Sequence, residues 1–179
     1  MQGKKIIITG GPGTGKSSII QLLEKKGFRC LPEVSREIIL EAKEKGISQL
    51  FLEDPLLFSK MLLEKRIEQY HEAESCSQPY IFIDRGIPDV VAYLDYIEST
   101  HPPVFSDSCK NHIYDMIFLL PPWKEIYTCD NERYESFDQA VKIHTFLVNT
   151  YKDLGYEVVE VPHETLENRV HFILEKMEE

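Results

Sequence analysis

Runs of apolar, largely β-branched residues alternate along this chain with longer stretches of helical spacing. Ile6, Ile7 and Ile8 fall in the run 4–9, Tyr80, Ile81, Phe82 and Ile83 form the run 80–83, and Met116 to Leu120 fill the run 115–120. None of these alternates with polar residues, so each predicts a strand buried on both faces. Shorter runs at 28–31 and 157–161 predict a second and a last strand.

Helices are predicted between them. Residues 17–26 are closed by Gly27, and 34–45 carries Val34, Ile38 and Ala42 at helical spacing before Gly46. Asp54 followed by Pro55 reads as an N-cap with proline at the first helical position, opening a helix to about Ala73. Another helix runs from about Pro88 to Ile97. Ser136 with Gln139 forms a capping box that launches a helix to Leu154, and Leu166, Val170, Ile173 and Met177 mark one face of the last helix. Two segments lack a period: 101–111, with Pro102-Pro103, is expected to be a surface excursion, and 123–135 is polar. Five strands alternating with helices require parallel crossovers. The expected fold class is therefore α/β, a doubly wound five-stranded parallel sheet in a single domain.

The first apolar run ends in Gly10, Gly11, Pro12, Gly13, Thr14, Gly15, Lys16, Ser17 and Ser18. Residues 10–17 match G-x-x-x-x-G-K-[ST] between a predicted strand and a predicted helix, the P-loop context. Glycines let backbone N–H groups wrap phosphate oxygens, Lys16 supplies a point charge to the β/γ-phosphates, and the Ser17 hydroxyl can ligate Mg²⁺. The spacing predicts binding of a nucleoside triphosphate, ATP or GTP.

Composition narrows the class. The 179 residues carry a net charge of −10, which argues against nucleic acid as a main partner, although a P-loop makes its own local positive field. Cys30, Cys76, Cys109 and Cys129 are scattered without a C-x-x-C pair, and no apolar run approaches the ~20 residues that span a bilayer. The N-terminal apolar run is too short for a signal peptide, so a cytoplasmic protein with reduced thiols is expected.

Other strand ends carry candidate chemistry. In such sheets, ligands gather outside the carboxyl ends of the strands. Asp84 ends an apolar strand, where P-loop proteins place a carboxylate that supports Mg²⁺, and Arg85 can clamp a phosphate. Glu33 is a candidate general base toward an acceptor hydroxyl, and Arg36, one turn on, can meet that substrate. Arg133, with Lys124, lies in the polar stretch after the fourth strand and is a candidate lid cation. Trp123 and Tyr127 can stack a base, but packing is the expected role. Residues 149–153 (Asn-Thr-Tyr-Lys-Asp) do not make the guanine-reading motif of GTPases, because the spacing is wrong and they fall inside a predicted helix.

With these residues in place, the chain resembles the nucleoside/nucleotide kinase branch of P-loop proteins. Glu33 within Pro-Glu-x-x-Arg and the pair Asp84-Arg85 are similar to the acceptor-side glutamate and the Asp/Glu-Arg pair of deoxynucleoside kinases and nicotinamide-riboside kinase. More closely, the chain resembles small bacterial AAA-like predicted ATPases, which share 82–89 (Phe-Ile-Asp-Arg-Gly-Ile-Pro-Asp) and 120–123 (Leu-Pro-Pro-Trp). Gly155-Tyr156-Glu157 leading into Val161-Pro162 is shared as well. The animal TRPL translocation defect protein, described as binding GTP and phosphoinositides, carries a related domain. Two departures stand out: the lid offers only Lys124 and Arg133, and Gly86 stands where deoxynucleoside kinases typically have serine. The resemblance implies an ATP- and Mg²⁺-dependent kinase of a small, nucleoside-like hydroxyl compound. The alternative is a nucleotide-dependent switch with a protein or lipid partner. A ring-forming motor is not expected at this length.

Overall fold

The computed structural model describes residues 3–44, 46–47, 49–127 and 135–178. Its centre is a five-stranded, all-parallel sheet in the order β2-β3-β1-β4-β5. The strands are β1 (Lys4–Gly10), β2 (Arg29–Leu31), β3 (Tyr80–Asp84), β4 (Met116–Leu120) and β5 (Val158–Glu160). The helices are α1 (Lys16–Lys25), α2 (Ser35–Glu44), α3 (Leu50–Glu53), α4 (Pro55–Ser75), α5 (Ile87–Tyr96), α6 (Pro103–Asn111), α7 (Phe137–Asp153) and α8 (Leu166–Lys176).

The unbroken apolar runs are explained by two cores. Ile6 and Ile8 of β1 face one side with Phe82 and Phe118, against Ile19 and Leu23 of α1 and Val170 and Ile173 of α8. Ile7, Ile81, Ile83, Ile117 and Leu119 face the other side, against Ala73 of α4, Ala92 of α5 and Ile143, Leu147 and Tyr151 of α7. Successive strand side chains point to opposite faces, so a strand covered on both must be apolar throughout. Asp54 caps α4 through Leu57 N, and Ser136 and Gln139 exchange the capping-box bonds of α7, as their spacing predicts.

Two helices depart from the expectation. The segment expected to be an irregular excursion forms α6, whose Phe105, Ser108 and Cys109 are buried beside α5. Pro103 sits at its first turn, where a missing N–H costs nothing. The short α3 also forms, with Leu50 buried against α2, α4 and α5. Both belong to a third core built on Ile38, Leu63, Val90 and Leu94, which extends the domain beyond the carboxyl end of β2.

Topology positions the site. After β2 and β3 form on one side of β1, the chain passes β1 to lay β4 on its other side. The carboxyl ends of β1, β2 and β3 therefore open side by side, the edge where open α/β sheets bind ligands.

Candidate active site

The loop after β1 is fastened from within. The Lys16 ammonium donates to the carbonyls of Gly10 (3.0 Å) and Gly11 (3.2 Å), and the buried Thr14 hydroxyl donates to Gly11 O at 3.0 Å. Gly13 and Gly15 hold φ of +70° and +87°, in the left-handed region that favours glycine. A Cβ at Gly13 would lie 2.6 Å from the Tyr127 ring, and one at Gly15 would lie 2.9 Å from the Arg169 guanidinium. α1 starts at Lys16 with Gly15 as N-cap and no side-chain cap, leaving first-turn N–H groups for an anion. Ser17 and Ser18 are exposed on that turn. Burial and the neighbouring Arg85 charge push the Lys16 ammonium down to about 8, against the opposing pull of Asp84, Glu33 and Asp89.

Asp84 ends β3 opposite Ile8 of β1 and is 6% exposed. Its Oδ1 is buried without a hydrogen-bond partner, and burial pushes its carboxyl up from the usual range. A buried carboxylate oxygen left unsatisfied costs free energy unless something cationic meets it. With the Ser17 hydroxyl at the start of α1, this donor set fits Mg²⁺, which takes one or two protein oxygens and completes its shell with phosphate and water.

Glu33 and Arg85 follow adjacent strands and meet. Arg85 Nε donates to Glu33 Oε2 at 2.6 Å, and Arg66, from the middle of α4, donates to Glu33 Oε1 at 3.2 Å. Burial opposes ionisation of Glu33, but the charges of Arg66, Arg85 and Lys16 and the Ser35 N–H outweigh it and hold the carboxyl below its ordinary value. Arg66 also donates to Gly86 O at 2.8 Å, Gly86 N to Asp89 Oδ2 at 3.0 Å, and Arg85 to Asp89 Oδ1 at 3.3 Å. The result is a closed ring through Glu33, Arg66, Gly86, Asp89 and Arg85. Asp89, 1% exposed, further accepts from Thr9 Oγ1 and Tyr151 OH, both at 2.5 Å. Arg85 itself holds φ +73°, a strained conformation for a non-glycine residue that the ring over-determines. Gly86 has a local reason too: a Cβ there would lie 2.8 Å from the Tyr151 hydroxyl, so the serine of deoxynucleoside kinases has no room beside this tyrosine.

A cavity of about 460 Å³ opens beside the P-loop, lined by Gly13, Ser18, Trp123, Ile126, Thr165 and Arg169 among others. Arg169, 3% exposed, donates through both terminal nitrogens to Thr14 O at 3.1 Å. Its guanidinium lies over the Trp123 ring at 5.7 Å, and Trp123 stacks on His163 with centroids 5.1 Å apart.

The structure thus gathers the P-loop, Lys16, Glu33, Asp84 and Arg85 at one sheet edge. Arg36 stays exposed on α2 and Lys124 exposed after β4. Arg133, the lid cation expected from the sequence, lies outside the described residues. Arg66 and Arg169 are not among the site residues expected from the sequence, and Asp89 enters there only as the last residue of the shared run 82–89. Each is a charged residue that shares a helix with buried apolar neighbours (Leu62 and Leu63, Val90, Val170), and that misfit in the pattern was the available signal.

Sheet order and loop define an α/β P-loop fold of the kind found in nucleoside and nucleotide kinases. Within that class, the chain belongs to an AAA domain family whose sequence model matches residues 5–169. It is similar in fold to the deoxyadenosine kinase of M. mycoides solved with products dCMP and a flexible dCDP bound. The TM-score is 0.72 at 16% identity, covering 97% of this chain and 98% of that one. The NadR protein in complex with NR gives 0.75 at 17% identity, over 98% of this chain and 49% of that one. The thymidylate kinase of Candida albicans gives 0.72 at 20% identity, over 99% and 92%. Among curated relatives, a "Nucleotide-binding protein" of Pseudomonas savastanoi pv. phaseolicola is 28% identical over 109 residues, 61% of this chain but 38% of that protein. No helix among the described residues is long and apolar enough to cross a membrane.

Proposed function

We propose that this protein is a kinase that transfers the γ-phosphoryl group of ATP to a hydroxyl of a small, nucleoside-like metabolite. The observation that carries this reading is the Glu33 carboxylate, held at 2.6 Å by Arg85 beside the P-loop. Nucleotide binding by itself needs no carboxylate fixed on the acceptor side, whereas activating an attacking hydroxyl does. The fold neighbours that bind nucleosides or nucleotides support the same class.

Residues 10–18 cradle the phosphates, with Lys16 on the β/γ oxygens. The base lies in the cavity beside Trp123, fixed to the loop through Arg169 and Thr14 O. Ser17 and Asp84 would hold Mg²⁺, which would supply charge neutralisation to the phosphates. The acceptor oxygen bonds to the γ-phosphorus as the bond from that phosphorus to the β–γ bridging oxygen breaks, and ADP leaves. The acceptor proton passes to Glu33. Its depressed pKa makes it a late base, taking the proton once the bonding oxygen has become acidic. Arg85 and Arg133 stabilise the charge of the transferring group, and Arg36 meets the outer part of the acceptor.

A nucleotide-dependent switch or slow NTPase is the second reading. It is favoured by the Tyr127 ring lying close over Gly13 of the loop, a contact through which a bound nucleotide would be sensed outside the loop.

ATP consumption with Mg²⁺ across a panel of nucleosides and related hydroxyl compounds separates the two. A compound that accelerates consumption in the wild type, not in Glu33→Gln, and yields a phosphorylated product is the expected result. No acceleration by any compound, with nucleotide binding intact, overturns the kinase.

A further inference from the structure

The ring that holds Glu33 has a second consequence, which rests on the kinase reading for its meaning but not for its test. A site that takes an acceptor phosphate must offer cations to a group of charge near −2. On the acceptor side of this site, two guanidiniums are buried at the ends of β2 and β3: Arg66 at 4% side-chain exposure and Arg85 at 13%. Both are already paired in charge, although Arg66 Nε is buried without a hydrogen-bond partner. Glu33 gives one oxygen to each of them, and Asp89 takes a second nitrogen of Arg85. The remaining nitrogen contact of Arg66 goes to Gly86 O.

Among the described residues, the other cations of the neighbouring helices do not fill the role. Arg36, Lys43 and Lys60 are exposed, and Lys65 pairs with Glu37 at 3.5 Å. An exposed, hydrated charge contributes little to holding an anion. Lys16 is directed to the P-loop. The geometry of Glu33 is that of an internal anion: its carboxylate fills the fork between two guanidiniums that a phosphate would otherwise occupy bidentately.

From this we infer that Glu33 selects the acceptor as well as serving it, restricting the site to an uncharged hydroxyl and rejecting monophosphates. A phosphate brought to this edge would face a carboxylate at contact distance in a partly buried site, where like charges repel far more than in water. The substrate is then a nucleoside rather than a nucleotide. That distinction is open in the fold alone, since its neighbours include both a deoxyadenosine kinase and a thymidylate kinase. Neutralising Glu33 should release both guanidiniums and turn the selector into a phosphate site.

The test is calorimetric. The common ribo- and deoxyribonucleosides and their 5′-monophosphates are titrated into wild type, Glu33→Gln and Glu33→Ala, each saturated with a non-hydrolysable ATP analogue and shown to be folded at the titration temperature by a cooperative thermal transition above it. In the wild type, every monophosphate should bind at least about tenfold more weakly than the tightest nucleoside. In both variants, monophosphate affinity should rise about tenfold or more. A wild type that binds or phosphorylates a monophosphate as well as a nucleoside overturns the inference while leaving the kinase standing. Variants with unchanged monophosphate affinity overturn it as well. A gain in monophosphate binding by the variants, in a protein that phosphorylates no hydroxyl compound, upholds the inference and overturns the kinase.

Discussion

Arg85 reaches Glu33 and Asp89 with one planar group, Nε to Glu33 at 2.6 Å and a terminal nitrogen to Asp89 at 3.3 Å. Tyr93 lies beneath that guanidinium at 5.4 Å. A lysine at the same place is a point charge on a flexible stem and cannot satisfy both carboxylates with fixed geometry. Arg85→Lys should therefore lower acceptor phosphorylation about a hundredfold, a misplacement penalty, while changing nucleotide affinity by less than about threefold. Steady-state turnover alongside nucleotide titration reads both. Equal losses in both would mean that Arg85 belongs to nucleotide binding instead.

Lys16 gives a pH signature. Burial and the Arg85 charge hold its ammonium at about 8 against an ordinary 10.5. The phosphate-binding form is the cation, so nucleotide affinity should be full below about pH 7 and fall as pH rises through about 8. Binding restores the charge, and calorimetry in buffers of differing ionisation enthalpy should register proton uptake on the alkaline side. The stability of the free protein runs the other way. Its lysine is depressed on folding, the unfolded chain holds more protons between about 8 and 10.5, and Lys16 adds stability as pH climbs through that window. Arg85→Ala removes a neighbouring cation and should move the affinity midpoint upward.

Much of this site was legible because its parts are local. The P-loop is one contiguous stretch, and Asp84-Arg85 closes an apolar run that can only be a buried strand. Asp54 and Ser136 declare their helices by bonds three residues away. What stayed hidden depends on distant pairings. Arg66 meets Glu33 across 33 residues, Tyr151 meets Asp89 across 62, and Arg169 meets Thr14 across 155. No spacing rule encodes such contacts. α6 was hidden differently: Pro102-Pro103 looks like a breaker, yet Phe105, Ser108 and Cys109 already carry the i, i+3, i+4 stripe of a helix facing a core.

Gly13 tests how the loop is covered. Its φ of +70° and the Tyr127 ring, which would lie 2.6 Å from a Cβ at this position, are separate obstacles to substitution. Gly13→Ala should weaken nucleotide binding about tenfold or more. Gly13→Ala with Tyr127→Ala should recover only part of that loss, because removing the ring relieves the clash and leaves the backbone strain of about 1–2 kcal/mol. Full recovery in the double variant would show that the ring alone forbids a side chain there.

Asp89 is where the site and the core share one residue, and its chemistry predicts an order of stabilities. Oδ1 accepts from Thr9 Oγ1 and Arg85, and Oδ2 accepts from Gly86 N and Tyr151 OH. Asp89→Ala leaves four donors without an acceptor in a position that is 1% exposed, and should cost about 3–5 kcal/mol in urea unfolding. Asparagine has the right shape but the wrong polarity. A hydroxyl can rotate to accept, whereas Arg85 and Gly86 N only donate, and one of them faces the amide NH₂ whichever way it turns. Asp89→Asn should therefore cost nearly as much as the alanine. Tyr151→Phe removes a single donor and leaves every other bond to the carboxylate in place, so about 1 kcal/mol is expected. An Asp89→Asn protein as stable as wild type would mean that the donors around this carboxylate find other partners. In that case the ring would not hold Arg85 in its left-handed conformation.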